Sequence, residues 1–234
     1  MALLRSLVLA GAIAVAVAGC AGSPLVGPAP SDRQGQTFTG SLTVQGISVP
    51  LPPGPWTAGA DASTHPDATR IVLTSTHAGV IDRLVYVSVD RTGDTARPFR
   101  RCDDPGYLYA ADAGSGEVRR CWHIRAISLG TLDDPAASTL ALRRSAQAQQ
   151  LFLPATMIGP RYQFADRHRR IVVEYYWNPD LIAPAPNGAV WLPQDWSRAA
   201  VAADPARSAV AARLRDWAAD WYADVRAGLR DTGA

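Results

Sequence analysis

Arg170-Ile171-Val172-Val173-Glu174-Tyr175-Tyr176-Trp177 is the stretch on which the fold class turns. It has the highest β-propensity of the chain, because β-branched and aromatic side chains suit a pleated, half-buried surface. Pro179 ends it, since proline has no N–H to add to a ladder. Just upstream, Arg161–Ala165 is a second candidate strand, followed by a polar turn over Asp166–Arg169. Strands joined by so short a connection pair antiparallel. The expectation is a hairpin of 161–165 with 170–177.

Beyond a Pro-rich connection at 180–196, Asp204-Pro205 carries the signature of a helix start, with aspartate as N-cap and proline at the first helical position. Val210, Leu214, Trp217, Trp221, Val225 and Leu229 then recur at steps of three or four residues, which predicts one amphipathic helix over 204–230. Asp134-Pro135 repeats the start signal and predicts a helix over 135–152, with Ala137, Leu140, Ala141, Ala148, Leu151 and Phe152 as its apolar stripe. Earlier in the chain, Phe38–Val49 reads as a strand or hairpin, and Trp56 as a core anchor. Arg70–Thr76 and Val80–Asp90 form a hairpin around Ala78-Gly79, with Ile81, Val85, Val87 and Val89 on one face. Thr92–Glu117 is mostly loop, and Val118–Ser128 resumes as a strand. The expected fold is α+β: a single domain over 37–230, an antiparallel sheet packed by two helices.

The first 20 residues have a different character. Arg5 precedes an uncharged run, Leu7–Ala18, that is too short to span a bilayer, which takes about 20 apolar residues. Small residues follow and lead to Cys20, the layout of a cleaved export signal over 1–19. Val17-Ala18-Gly19-Cys20 resembles the lipobox of bacterial lipoproteins. That resemblance implies cleavage before Cys20, lipidation of its thiol, and attachment to a membrane through the N-terminal lipid. One acyl chain holds a protein only marginally, whereas the several implied here hold it firmly. Ala21 after the cysteine implies the outer membrane, with the domain in the periplasm. Residues 20–36 are rich in Pro, Gly and Ser and read as a tether, which fully extended reaches roughly 50 Å. The last 75 or so residues, with the hairpin, Tyr175-Tyr176-Trp177-Asn178-Pro179 and the Trp-bearing helix, loosely resemble a group of uncharacterised proteobacterial exported proteins, which implies no activity.

With Cys20 assigned to lipid, Cys102 and Cys121 remain, and an even pair in an exported chain reads as a disulfide. Every one of the 23 basic residues is arginine, and the only glutamates are Glu117 and Glu174. Losing Arg5 with the leader takes the formal charge from +2 to +1, so no nucleic-acid partner is expected.

Motifs for catalysis are absent: there is no H-E-x-x-H, G-x-S-x-G, P-loop or EF-hand loop. Ser115 lies in a Gly-rich loop, and His65, His77, His123 and His168 show no ligand spacing, so neither a metal nor any other cofactor is expected. Glu174 is the one carboxylate in the strongest strand. It is expected on the solvent face; buried, it would be a candidate acid, with Asp180 or Asp195 as the second carboxylate of an envelope hydrolase. Arg100-Arg101 and Arg119-Arg120 each precede a cysteine of the pair, so a disulfide would gather them into a possible anion or phospholipid site. Trp177, Trp191 and Trp196 are candidate glycan platforms, whereas Trp56, Trp217 and Trp221 are expected in the core. The sequence is read as a lipid-anchored envelope protein that binds or scaffolds an envelope protein, phospholipid or glycan. A hydrolase is the alternative.

Overall fold

The computed structural model describes residues 33–61, 68–91, 102, 104–112, 119–129, 135–165 and 169–229. Among the described residues there are ten strands: β1 (Thr37–Phe38), β2 (Ser41–Val44), β3 (Ile47–Pro50), β4 (Trp56–Asp61), β5 (Ala68–His77), β6 (Val80–Asp90), β7 (Tyr109–Asp112), β8 (Arg119–Ile127), β9 (Met157–Ala165) and β10 (Arg170–Trp177). Eight of them form one sheet in the order β1-β4-β5-β6-β10-β9-β8-β7, with β2 and β3 as a separate hairpin. Every ladder is antiparallel. The α+β single domain expected from the sequence is therefore the fold, and the hairpin around residues 166–169 lies near the middle of its sheet.

Two long helices flank the sheet: α1 (Pro135–Ala148) and, near the C-terminus, α4 (Pro205–Gly228); between them lie the short helices α2 (Pro179–Ile182) and α3 (Arg198–Ala202). Asp204 caps α4 by accepting the N–H groups of Ala206 and Arg207. The predicted stripe faces the sheet, with Val210, Leu214, Val225 and Leu229 buried and Ala218 completing the row. Trp217 and Trp221 are half-buried and stacked on each other at 5.2 Å. Tyr162 Oη donates to the Ala218 carbonyl at 2.9 Å and Tyr175 Oη to that of Pro50 at 2.8 Å, tying helix and small hairpin to the sheet. Burial raises the pKa of both phenols far above the ordinary value, so they remain neutral donors.

The sheet separates two cores. Val85, Val87, Val89, Ile171, Val173 and Tyr175 face α4 and the β2–β3 hairpin. Val72, Leu84, Tyr86, Met157 and Tyr176 face Leu142 and Ala146 of α1. Two expectations fail here. Ile81 packs in the α1 core, opposite to Val85, Val87 and Val89. The register shifts between Ser75↔Arg83 and Thr76↔Ile81, so β6 carries one extra residue, and such a bulge reverses the alternation of faces. Helix α1 also buries Thr139, Leu142, Ser145 and Ala146, while Leu140 and Ala148 are exposed. It stops at Ala148, and Gln150 takes a positive φ of 55°. Leu151 and Phe152 therefore leave the helix, and Phe152 joins Val80 in a bridge with its side chain exposed. The expected cap Asp134 lies outside the described residues.

Trp56 is buried as expected, its Nε1 donating to the Pro52 carbonyl at 2.8 Å. The turns of the β2–β3 and β5–β6 hairpins use positive φ at two successive residues, Gln45-Gly46 and Ala78-Gly79, the geometry that matches strand twist.

Candidate functional site

The face of the sheet toward α1 changes character along its strands. Under α1 it is apolar; over β10, β9 and β8 it is polar and still closed to solvent. Register builds two rows across it. Val72, Tyr86, Glu174, Arg161 and His123 are successive neighbours in one, and Arg70, Ser88, Val172, Gln163 and Cys121 in the next. Glu174, Arg161, Gln163 and His123 are each 0% exposed.

Glu174 is thus inside, contrary to the solvent-face expectation. Its Oε1 accepts from Arg161 Nη1 in a close contact and from Arg125 Nη2 at 3.2 Å. Arg125 Nε donates to Tyr176 Oη at 3.2 Å, and burial, above all, keeps that phenol's pKa far above the ordinary value. Arg161 Nη2 reaches Gln163 Oε1 at 3.4 Å. Glu174 Oε2 is buried with no hydrogen-bond partner among the described residues. One carboxylate bridging two guanidiniums inside a protein needs good geometry to offset the desolvation of each charge. Arrangement and burial together make this a buried polar core.

Cys102 and Cys121 form a disulfide with Cα atoms 6.0 Å apart. The bond lies over the polar rows: Gln163 Nε2 is 3.8 Å from Cys102 Sγ and 3.9 Å from Cys121 Sγ, and His123 Nδ1 is 3.6 Å from Cys102 Sγ. Tyr107 stacks on the His123 ring at 3.6 Å with the planes 4° apart.

The other expected residues are dispersed. Arg100, Arg101, Cys20, His65, Ser115 and His168 lie outside the described residues. Arg119 and Arg120 open β8, and the pleat places positions 119 and 120 on opposite faces of the sheet. His77 is exposed at the end of β5. Asp180 accepts the Trp191 N–H at 3.1 Å, and Asp195 accepts that of Leu192 at 2.9 Å. Both carboxylates therefore brace the local loop. Trp191 and Trp196 are buried and meet edge to face at 5.5 Å, which removes them as glycan platforms. Trp177 is half-buried and contacts Trp217 edge to face at 4.7 Å. The partly accessible indoles are thus Trp177, Trp217 and Trp221, two of which the sequence placed in the core.

Arg125, Arg161 and Gln163 escaped the sequence reading. For Arg161 and Gln163 the signal was present in β9, where they alternate with Tyr162 and Phe164. Polar residues at alternate positions usually mark a solvent face. Among the described residues, no three His, Cys, Asp or Glu side chains gather as a metal ion would require. No family model matches the chain, and neither a curated protein nor a solved structure resembles it.

Proposed function

We propose that this is a lipid-anchored protein of the bacterial cell envelope, held at the outer membrane through Cys20, with a periplasmic domain that binds or scaffolds a partner. The observation that carries this reading is Val17-Ala18-Gly19-Cys20 closing an uncharged run behind Arg5. Among the described residues no helix is long and apolar enough to cross a membrane. In this reading the tether runs from Cys20 toward the domain, and Gly35 and Gln36 at its far end already bond to Ala58 of β4. A binding role is favoured over hydrolysis because Glu174, the strongest acid candidate, is committed to Arg161 and Arg125 in the interior.

Growth with a fatty-acid probe tests the anchor. Wild-type protein takes up label and fractionates with membranes, and Cys20→Ala loses both properties; a labelled Cys20→Ala variant would refute the assignment. A peptidoglycan zymogram tests the second half. Clearing by the wild type that vanishes in a folded Glu174→Gln variant would replace binding with hydrolysis.

A further inference from the structure

The surroundings of the disulfide point to chemistry beyond cross-linking. Two nitrogen-bearing side chains converge on its sulfurs. Gln163 Nε2 lies within 3.9 Å of both, and His123 Nδ1 within 3.6 Å of Cys102 Sγ. Strand register sets both positions: His123 lies in the β7–β8–β9 ladders and stacks on the Tyr107 ring, and Gln163 is paired with Cys121 and Val172.

A thiolate formed at Cys102 would meet an imidazole, an amide donor and, one step further, Arg161 directly opposite His123 in register. Glu174 is bound to Arg161 and Arg125, which blunts its repulsion. Asp104 faces solvent and holds the Gly106 N–H at 2.8 Å, and Asp112 is opposite Cys121 in register. Arg101 and Asp103 flank Cys102 in the chain and lie outside the described residues. Burial alone raises a thiol pKa, whereas neighbouring cationic side chains lower it to about 3.5–7.5, and the His123 ring and Gln163 amide can donate hydrogen bonds to the thiolate. Cys102, at 7% exposure, is also the more accessible of the two, Cys121 being at 1%.

We propose that Cys102–Cys121 is a redox-active pair that exchanges with thiols, with Cys102 as the nucleophilic cysteine and His123 and Gln163 as residues positioned to stabilise its thiolate. In the reductive direction a substrate thiolate attacks Cys102 Sγ. The S–S bond breaks, its electron pair leaves on Cys121 Sγ, and that sulfur takes a proton from solvent. A second substrate thiolate attacks the substrate sulfur of the mixed disulfide and releases Cys102 as a thiolate beside His123. Two electrons pass from two substrate thiols, which become a disulfide; the reverse sequence oxidises a dithiol. The substrate class is therefore a thiol or disulfide, on a protein or a small molecule. The proposal stands independently of the lipid anchor.

The test uses the full chain, reduced with dithiothreitol and alkylated with iodoacetamide between pH 4 and pH 10. Trypsin cuts after Arg101, Arg119, Arg120 and Arg125, so the two cysteines fall in different peptides and can be quantified separately by mass spectrometry. The same chain in urea is the reference. In the native chain Cys102 should titrate with a midpoint below about pH 7.5, against about 8.5 in urea. At pH 6.5 it should react about fivefold faster than in urea, the gain in thiolate fraction outweighing the lower nucleophilicity of a weaker base. His123→Phe should return the midpoint to the urea value. Incubating the oxidised native chain with reduced glutathione should place the adduct on Cys102. A native midpoint at or above that in urea overturns the proposal whether or not His123→Phe folds, and so does an adduct confined to Cys121.

Discussion

Replacing Glu174 by Gln tests whether the polar rows behave as a single electrostatic unit. The substitution keeps side-chain volume, so it opens no cavity, and its effect is that of one charge. Glu174 is 0% exposed and is the shared partner of Arg161, also 0% exposed, and of Arg125, whose side chain is 11% exposed. Removing its charge leaves two guanidiniums facing each other with their common carboxylate gone. Breaking a buried pair from one side costs about 3–5 kcal/mol. The new amide nitrogen also gains little, because Glu174 Oε2 has no partner among the described residues to accept from it. For a chain of this size each kcal/mol moves the thermal midpoint by roughly 2–4 °C, so the variant should melt roughly 6–20 °C below wild type. Urea unfolding at neutral pH should show the same loss as a shift in midpoint at constant slope. Arg161→Met combined with Glu174→Leu removes both fully buried charges and should recover part of the loss, since apolar replacement of a buried pair is often neutral. A Glu174→Gln variant within about 0.5 kcal/mol of wild type would falsify the claim that this carboxylate compensates the two arginines.

Three further outcomes follow from the geometry. Gly159→Ala places a Cβ 1.9 Å from the Tyr175 carbonyl oxygen, so the β9–β10 ladder must part, whereas Gly79→Ala meets only open space. Chemical denaturation should show the first losing about 3 kcal/mol and the second about 1 kcal/mol, and equal losses would contradict the close approach. Non-reducing mass spectrometry should find the Cys102 and Cys121 peptides linked, and Cys121→Ser should cost about 3 kcal/mol by freeing the loop they close. The Asp204 carboxyl is held below its usual pKa of 3.8, first by the Arg207 N–H and further by the Ala206 N–H and the Arg207 side chain. A lowered folded pKa gives stability that is full above the unfolded value and lost as pH falls through the folded one. The wild type should therefore exceed Asp204→Ala by a constant margin above about pH 5, and that margin should shrink below pH 3.8 in an acid series of thermal melts.

Much of this fold follows from features spread over a few neighbouring residues. Asp204-Pro205 and the three- and four-residue spacing from Val210 to Leu229 determine α4 and the face it buries. The run from Arg170 to Trp177, with Arg161–Ala165 before it, determines β10 and its pairing with β9. Cys102 and Cys121, the even pair that an exported chain would join, do form the disulfide. Cap chemistry, β-propensity and residue counting need no knowledge of what packs on top.

Tertiary structure alone decided the rest. Whether Glu174 faces water or protein depends on a second layer that β10 does not encode, and the same holds for Arg161 and Gln163 in β9. A polar alternation reads as a solvent face until another segment closes over it. Helix α1 shows the same limit: its alanines made several phases plausible, and contact with β4 and β5 selected Leu142 and Ala146. Ile81 changed face because β6 carries one extra residue relative to β5, and a pairing register belongs to two strands at once. Periodicity is a property of one segment, whereas burial belongs to the pair of surfaces that meet.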